Sequence, residues 1–253
     1  MFDSDVEIID ATIKIPFGMV LYGCPMAGKS TFIKNLIINR DRLLSEKLDY
    51  IVYFYGVKSR TILELEADRT RRYHASSGGT AAVDDDSRNA DIDIILVEGL
   101  PEDLSIYIKE GKKSCLIFDD LMDSISDSKQ MVDLVTRKCQ HQTVSWIITF
   151  QNAFHRGTER LSITRSAQYI TLFNSPLDKT IPHILASRIM PESRRTFLEI
   201  FKEATLKPYS YLFCDGRQST PDKIRLRADI FNPSYQVVYT PLSITAASAN
   251  YHG

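Results

Sequence analysis

Apolar residues come along this chain in short dense runs separated by longer amphipathic stretches. Pro16–Tyr22, Tyr50–Tyr55, Ile92–Val97, Ser114–Phe118, Ser145–Phe150 and Gln168–Phe173 are rich in β-branched and aromatic residues. Such runs, closed by glycine or polar pairs, predict strands buried on both faces. Between them the apolar period lengthens. Ser30–Asn39 puts Phe32, Ile33, Leu36 and Ile37 on one face, and Ser128–Lys138 does the same with Met131, Leu134 and Val135; both spacings predict helices. Ile181–Met190 and Arg194–Ala204 read as two more helices, parted at Pro191. Glu98-Gly99-Leu100-Pro101-Glu102 reads as a turn leading into a helix, and Tyr211–Cys214 and Ile224–Phe231 as late strands joined by a turn at Asp215-Gly216. Strands alternating with helices predict an α/β domain, with a mostly parallel central sheet flanked by helices.

Residues 67–91 break the alternation. They carry Arg69, Arg71 and Arg72, then Ser76-Ser77-Gly78-Gly79, then Asp84-Asp85-Asp86, with almost no apolar periodicity. That composition predicts a flexible surface insertion. No repeat or linker divides the rest, so residues 1–240 are expected to form a single domain, and 241–253, rich in Ser, Thr and Ala, a frayed tail.

Composition narrows the class. The 253 residues are 43% hydrophobic and 25% charged, which excludes a collagenous, disordered or coiled-coil chain. The formal net charge is −1, so no global basic field draws the protein onto nucleic acid or lipid; a local patch remains compatible. No run approaches the roughly 18 apolar residues of a membrane span. The acidic start (Asp3, Asp5, Glu7) is unlike the basic start of a signal peptide. Cys24, Cys115, Cys139 and Cys214 are far apart, with no C-x2-C pair. That argues against a zinc knuckle or redox dithiol and for a reducing, intracellular setting.

One motif carries chemistry directly. Gly23-Cys24-Pro25-Met26-Ala27-Gly28-Lys29-Ser30 fits G-x-x-x-x-G-K-[ST], with a predicted strand before it and an amphipathic helix after it. The glycines let main-chain N–H groups turn toward phosphate oxygens, and the helix adds its positive end. Lys29 is expected to reach the β- and γ-phosphates, and the Ser30 hydroxyl to ligate Mg²⁺. Residues 23–30 together with Thr31 form the expected nucleotide-binding set, with ATP and Mg²⁺ as the implied ligands.

A P-loop enzyme also needs a strand that delivers a carboxylate to the magnesium shell. Leu116-Ile117-Phe118-Asp119-Asp120 fits, with Asp119 toward the metal. Asp120 beside it can take a proton from an attacking water, which points to hydrolysis. An acid pair that merely ends a strand is the plainer account, and the P-loop upstream weighs against it. Gln151, at the exit of the Ser145–Phe150 strand, falls where parallel sheets line their ligand crevice, and can orient the lytic water. An arginine given to a neighbouring subunit's site would complete the machinery; Arg137 is the first candidate, with Arg156, Arg160 and Arg165 as rivals.

GCPMAGKS, LIFDDLMD and TRKCQHQTVSWIITFQNAFHRG together resemble the FtsK–HerA superfamily of P-loop ATPases. Within it the chain is similar to the DNA-packaging ATPases of Polinton/Maverick elements, adintoviruses, virophages and related double-stranded DNA viruses. The similarity continues through EGLPED, RLSITRSAQYITLFNSP and PYSYLFCDG to RLRADIFNP, from about Pro16 to Pro233. The resemblance implies a RecA-like (ASCE-type) core, a homo-oligomeric ring of five or six subunits, and ATP hydrolysis that pushes double-stranded DNA into a capsid through a capsid or portal-vertex partner. It implies a place in the host nucleus or cytoplasm where virions assemble. It also matches Lys29 and Ser30 to the P-loop pair, Asp119 to the magnesium acid, Asp120 to the catalytic acid, Gln151 to the polar residue after the fourth strand and Arg137 to the finger. Two departures stand out: Cys24-Pro25-Met26-Ala27 replaces the usual small polar residues, and Asp120 stands where many relatives have Glu. A nucleoside or nucleotide kinase and a non-enzymatic nucleotide-dependent scaffold are the competing classes. Arg69, Arg71, Arg72, Tyr73 and His74, or Lys109, Lys112 and Lys113, are the candidate DNA contacts.

Overall fold

The dense apolar runs become strands because only a sheet covered on both faces buries every residue of such a run. The computed structural model describes residues 10–76, 92–126, 128–139, 142–151, 159–176 and 178–240; the side chains of 69–76, 126, 138 and 159–161 are outside that description. The strands are β1 (Gly18–Tyr22), β2 (Tyr50–Tyr55), β3 (Asp93–Glu98), β4 (Ser114–Asp119), β5 (Val144–Phe150), β6 (Tyr169–Phe173), β7 (Tyr211–Asp215), β8 (Leu226–Ala228) and β9 (Val237–Tyr239). Among the described residues they form one nine-stranded sheet in the order β3-β2-β4-β5-β1-β6-β7-β8-β9. Strands β3 through β6 in that order are parallel, and β7, β8 and β9 are antiparallel additions at one side.

The helices are α1 (Lys29–Ile38), α2 (Arg40–Leu43), α3 (Arg60–Ser76), α4 (Met122–Ser126), α5 (Lys129–Asp133), α6 (Glu159–Ser166), α7 (Thr180–Ile189) and α8 (Arg194–Ala204). A π-helical turn, Leu134–Lys138, continues α5. Strand alternation splits the core into two layers. Met19, Leu21 and Tyr53 pack with Phe32, Ile33, Leu36, Ile62 and Leu65 of α1 and α3. Val20, Phe54, Phe118 and Ile148 pack with Met131, Ile163, Leu185, Phe197 and Phe201 of α5 to α8. No described helix is long and apolar enough to cross a membrane, and the four cysteines are free thiols.

The sequence expectations need four adjustments. Residues 68–76, expected as loop, are helical in α3: Ile62 and Leu65 are buried at the helix start, and the following Glu, Ala and Arg are good helix formers that propagate an anchored first turn. Residues 77–91 lie outside the described residues. The helix expected after Gly99 is only a 3₁₀ turn, Ser105–Tyr107. The link from β7 to β8 is longer than a tight turn and contains a second 3₁₀ turn, Asp222–Ile224; the strand expected over Ile224–Phe231 shrinks to β8. Helices α2, α4 and α6 and strand β9 were not expected at all. The tail at 241–253 lies outside the described residues.

Gly56 shows how closely the strand ends are packed. A Cβ there would stand 2.1 Å from the main-chain oxygen of Asp120, while the Gly56 N–H donates to the Asp119 carbonyl at 3.0 Å. A backbone oxygen cannot swing aside as a side chain can. Gly56→Ala is therefore expected to destabilise the fold by about 1–3 kcal/mol, read in urea titrations as a lower midpoint at unchanged slope.

Candidate active site

Parallel strands open their ligand crevice at the carboxyl edge, and the loop after β1 leaves that edge. Its backbone is set by two residues in the left-handed region, Met26 (φ 61) and Gly28 (φ 104), and is closed by the Ala27 N–H donating to Cys24 O at 3.2 Å. Gly23 admits no side chain, because a Cβ would meet that of Phe173 at 2.7 Å. Lys29 opens α1 and folds back under the loop, its ammonium donating to the carbonyls of Gly23 (2.6 Å) and Cys24 (2.9 Å). The side chain is buried, at 7% exposure. Burial pulls its pKa below the ordinary lysine value, and the Asp119 carboxylate works the other way.

Asp119 ends β4 and is also buried. Three hydroxyls donate to its carboxylate: Ser30 at 2.6 Å, Tyr53 at 2.8 Å and Thr149 at 3.0 Å. Burial, then the neighbouring Asp119 charge, pushes the Tyr53 phenol pKa well up, so it stays a donor. Asp120 has turned out of the strand with φ 57, a strained conformation that Asp tolerates better than most side chains. Its N–H donates to the Thr149 hydroxyl at 3.1 Å, so Thr149 grips both acids at once. The Gln151 amide donates to the Asp120 carboxylate.

These groups meet in one cavity of about 720 Å³. Its walls include residues 25–31, Asp119, Asp120, Thr149 and Gln151, with Ser59 and Arg60 from the start of α3. Phe173, Tyr209, Tyr211 and Phe231 supply an aromatic wall. The structure thus brings together Lys29, Ser30, Thr31, Asp119, Asp120 and Gln151. The donor set of Asp119 and Ser30 consists of hard oxygens beside a phosphate-shaped loop, which fits Mg²⁺, an ion that takes few protein ligands and fills its shell with phosphate and water.

Among solved structures, the genome packaging NTPase B204 of Sulfolobus turreted icosahedral virus 2, bound to ATP-gammaS, aligns with TM-score 0.51 at 15% identity, over 90% of this chain and 98% of B204. The fold is that of a RecA-like P-loop NTPase. B204 of Sulfolobus turreted icosahedral virus aligns at 0.47 with 16% identity over 90% of this chain and 99% of its own. FlaH, a flagellar accessory protein of Methanocaldococcus jannaschii, aligns at 0.39 with 13% identity over 62% of this chain and 72% of its own. No family model and no curated protein sequence matches the chain.

On this P-loop fold the remaining candidates lie elsewhere. Arg137 sits on the π-helical turn before β5, its side chain 81% exposed, 3.4 Å from Asp133, and it does not line the cavity. Arg165, in the last turn of α6, is exposed; Arg156 and the side chain of Arg160 lie outside the described residues, as do the side chains of Arg69, Arg71, Arg72, Tyr73 and His74. Lys112 pairs with Asp49 at 3.1 Å, Lys113 pairs with Glu46, and Lys109 lies 4.9 Å from the centre of the Tyr50 ring.

Tyr53 and Thr149 were missed in the sequence because each sits inside a strand run and looks like core. Spacing gives one cue: Thr149 is the polar position nearest the end of an otherwise apolar run. Thr149→Val keeps the shape but leaves the Asp120 N–H without its acceptor and removes one donor to Asp119. A loss of about 1–3 kcal/mol is expected, and a double-mutant cycle with Tyr53→Phe should show coupling, because both hydroxyls serve one carboxylate.

Proposed function

We propose that this chain is an ATP-hydrolysing motor of the FtsK–HerA type that drives double-stranded DNA into a capsid. The observation that carries the chemistry is the meeting of Lys29 and Ser30 with the Asp119, Asp120 and Gln151 cluster at one cavity. In this reading the loop amides and Lys29 bind the triphosphate, and Lys29 exchanges its two carbonyl partners for phosphate oxygens. Ser30 and Asp119 would hold Mg²⁺, which neutralises phosphate charge when bound. Gln151 positions a water against the γ-phosphorus. The Asp120 carboxylate takes that water's proton as the new P–O bond forms, and ADP leaves with the electrons of the broken bond.

Support for the packaging role comes from the fold neighbour, a viral genome-packaging NTPase, and from the motif order in the sequence. A ring of five or six copies, a duplex in its channel and a capsid or portal partner belong to the same proposal. ATP turnover stimulated by duplex DNA is expected, abolished in Lys29→Ala and lowered about 10²–10⁴-fold in Asp120→Asn. Asn also accepts the left-handed backbone, so this variant should keep its fold. Label from γ-phosphate should appear as free phosphate; transfer to a small acceptor would favour a kinase, and full function of Asp120→Asn a scaffold.

Arg137 is proposed as the arginine that completes a neighbouring copy's site. Wild-type subunits mixed with Arg137→Ala subunits should then lose activity faster than the wild-type fraction falls. Strict proportionality across the titration would rule the arginine out of a role in trans.

A further inference from the structure

The aromatic wall of the cavity has no part in phosphate chemistry, yet its position is constrained. Strand β7 runs antiparallel to β6 with Phe173 opposite Tyr211, so β7 begins at the carboxyl edge where the P-loop lies. Tyr209, two residues earlier, is 72% exposed and sits at φ 64, a conformation costly for an aromatic residue. The turn that holds it is tied by the Ser210 N–H and hydroxyl, both donating to the Lys207 carbonyl at 3.2 and 2.6 Å. The ring stands against the loop itself: a Cβ on Gly28 would lie 3.6 Å from Tyr209 Cβ and 3.7 Å from Cδ1. Phe231 lines the same cavity and is fixed from behind. The Arg42 guanidinium donates to the Ile230 and Phe231 carbonyls at 3.2 and 3.0 Å, and the Phe231 ring packs edge-on against Phe32 at 4.8 Å.

In the sheet order, β4 with its acids lies on one side of β1 and β7 on the other. Four strand spacings of about 4.8 Å separate β4 from β7, roughly 19 Å in all. The P-loop stands between them. A triphosphate seated in the loop with its γ end at Asp119 and Asp120 therefore points its opposite end toward the aromatics. An exposed aromatic face in a fixed, strained backbone suits a flat ring from solution. We propose that Tyr209, with Phe231 beside it, forms the shelf on which the base of a nucleoside triphosphate stacks. This rests on the P-loop reading above and adds to it the site of the base. Stacking is tolerant of base identity, because every base has a π-face, so the ligand class is a nucleoside triphosphate.

The test compares ATP with inorganic tripolyphosphate, which fills the loop but has no base, by calorimetry on wild type, Tyr209→Ala, Tyr209→Trp and Lys29→Ala. Tyr209→Ala should weaken ATP about fivefold or more and leave tripolyphosphate unchanged, while Tyr209→Trp keeps ATP affinity. Unchanged ATP affinity in Tyr209→Ala, or equal weakening of both ligands, overturns the proposal. Failure of the P-loop reading has a different signature: wild type binds neither ligand and Lys29→Ala changes nothing, which removes the ground for the shelf as well.

Discussion

A carboxylate withdrawn from water must be given hydrogen-bond donors or it costs several kcal/mol. Asp119 is 6% exposed, and its three donors come from three different elements: Ser30 from α1, Tyr53 from β2 and Thr149 from β5. That requirement fixes much else. It demands that β2 and β5 flank β4, as the register shows with Ile117 opposite both Tyr53 and Ile147. It also draws the first turn of α1, and hence the loop before it, over the end of β4. The Ser30 hydroxyl and the Asp119 carboxylate are thereby paired in direct contact at 2.6 Å.

The strain at Asp120 follows from that arrangement. A residue continuing the pleat beyond Asp119 would carry its side chain to the opposite face of the sheet. The left-handed turn at φ 57 instead leaves the carboxylate at the cavity, within reach of Gln151. Thr149 and the close approach of Gly56 hold the turn from two sides. Strained backbone persists where neighbours over-determine it, and here Thr149 lies in, and Gly56 directly follows, a strand that also holds Asp119.

Much of this was legible in the residues. The P-loop reads from its own glycines, and the parallel strands from runs too apolar to lie half-exposed. Met26 and Tyr209 were not legible, because their left-handed backbones come from loop closure and leave no mark in composition. Tyr53 reads as a core aromatic, and only its hydroxyl, aimed along the strand at Asp119, makes it part of the site. Helix α6 was hidden because serines, threonine and arginines dominate its sequence; among its described side chains Ile163 is fully buried. Strand β9 has only three residues, too few for a period to show. Residues 68–76 were misread because polar pattern alone cannot tell a loop from a helix anchored at one end.

The sheet also explains why Arg137 is out of reach of its own cavity. The chain leaves β4 at the carboxyl edge and must return to the amino edge to start β5 in parallel. Arg137 lies late on that return, in the π-helical turn just before β5, so it has travelled away from Asp119 and Gln151. Its side chain is 81% exposed, and among the described residues its carboxylate neighbour is Asp133, at 3.4 Å, a surface contact worth at most about 1 kcal/mol. Such a contact is weak enough to be exchanged. Under the role in trans proposed above, that exchange would be made with a phosphate in a neighbouring copy's site.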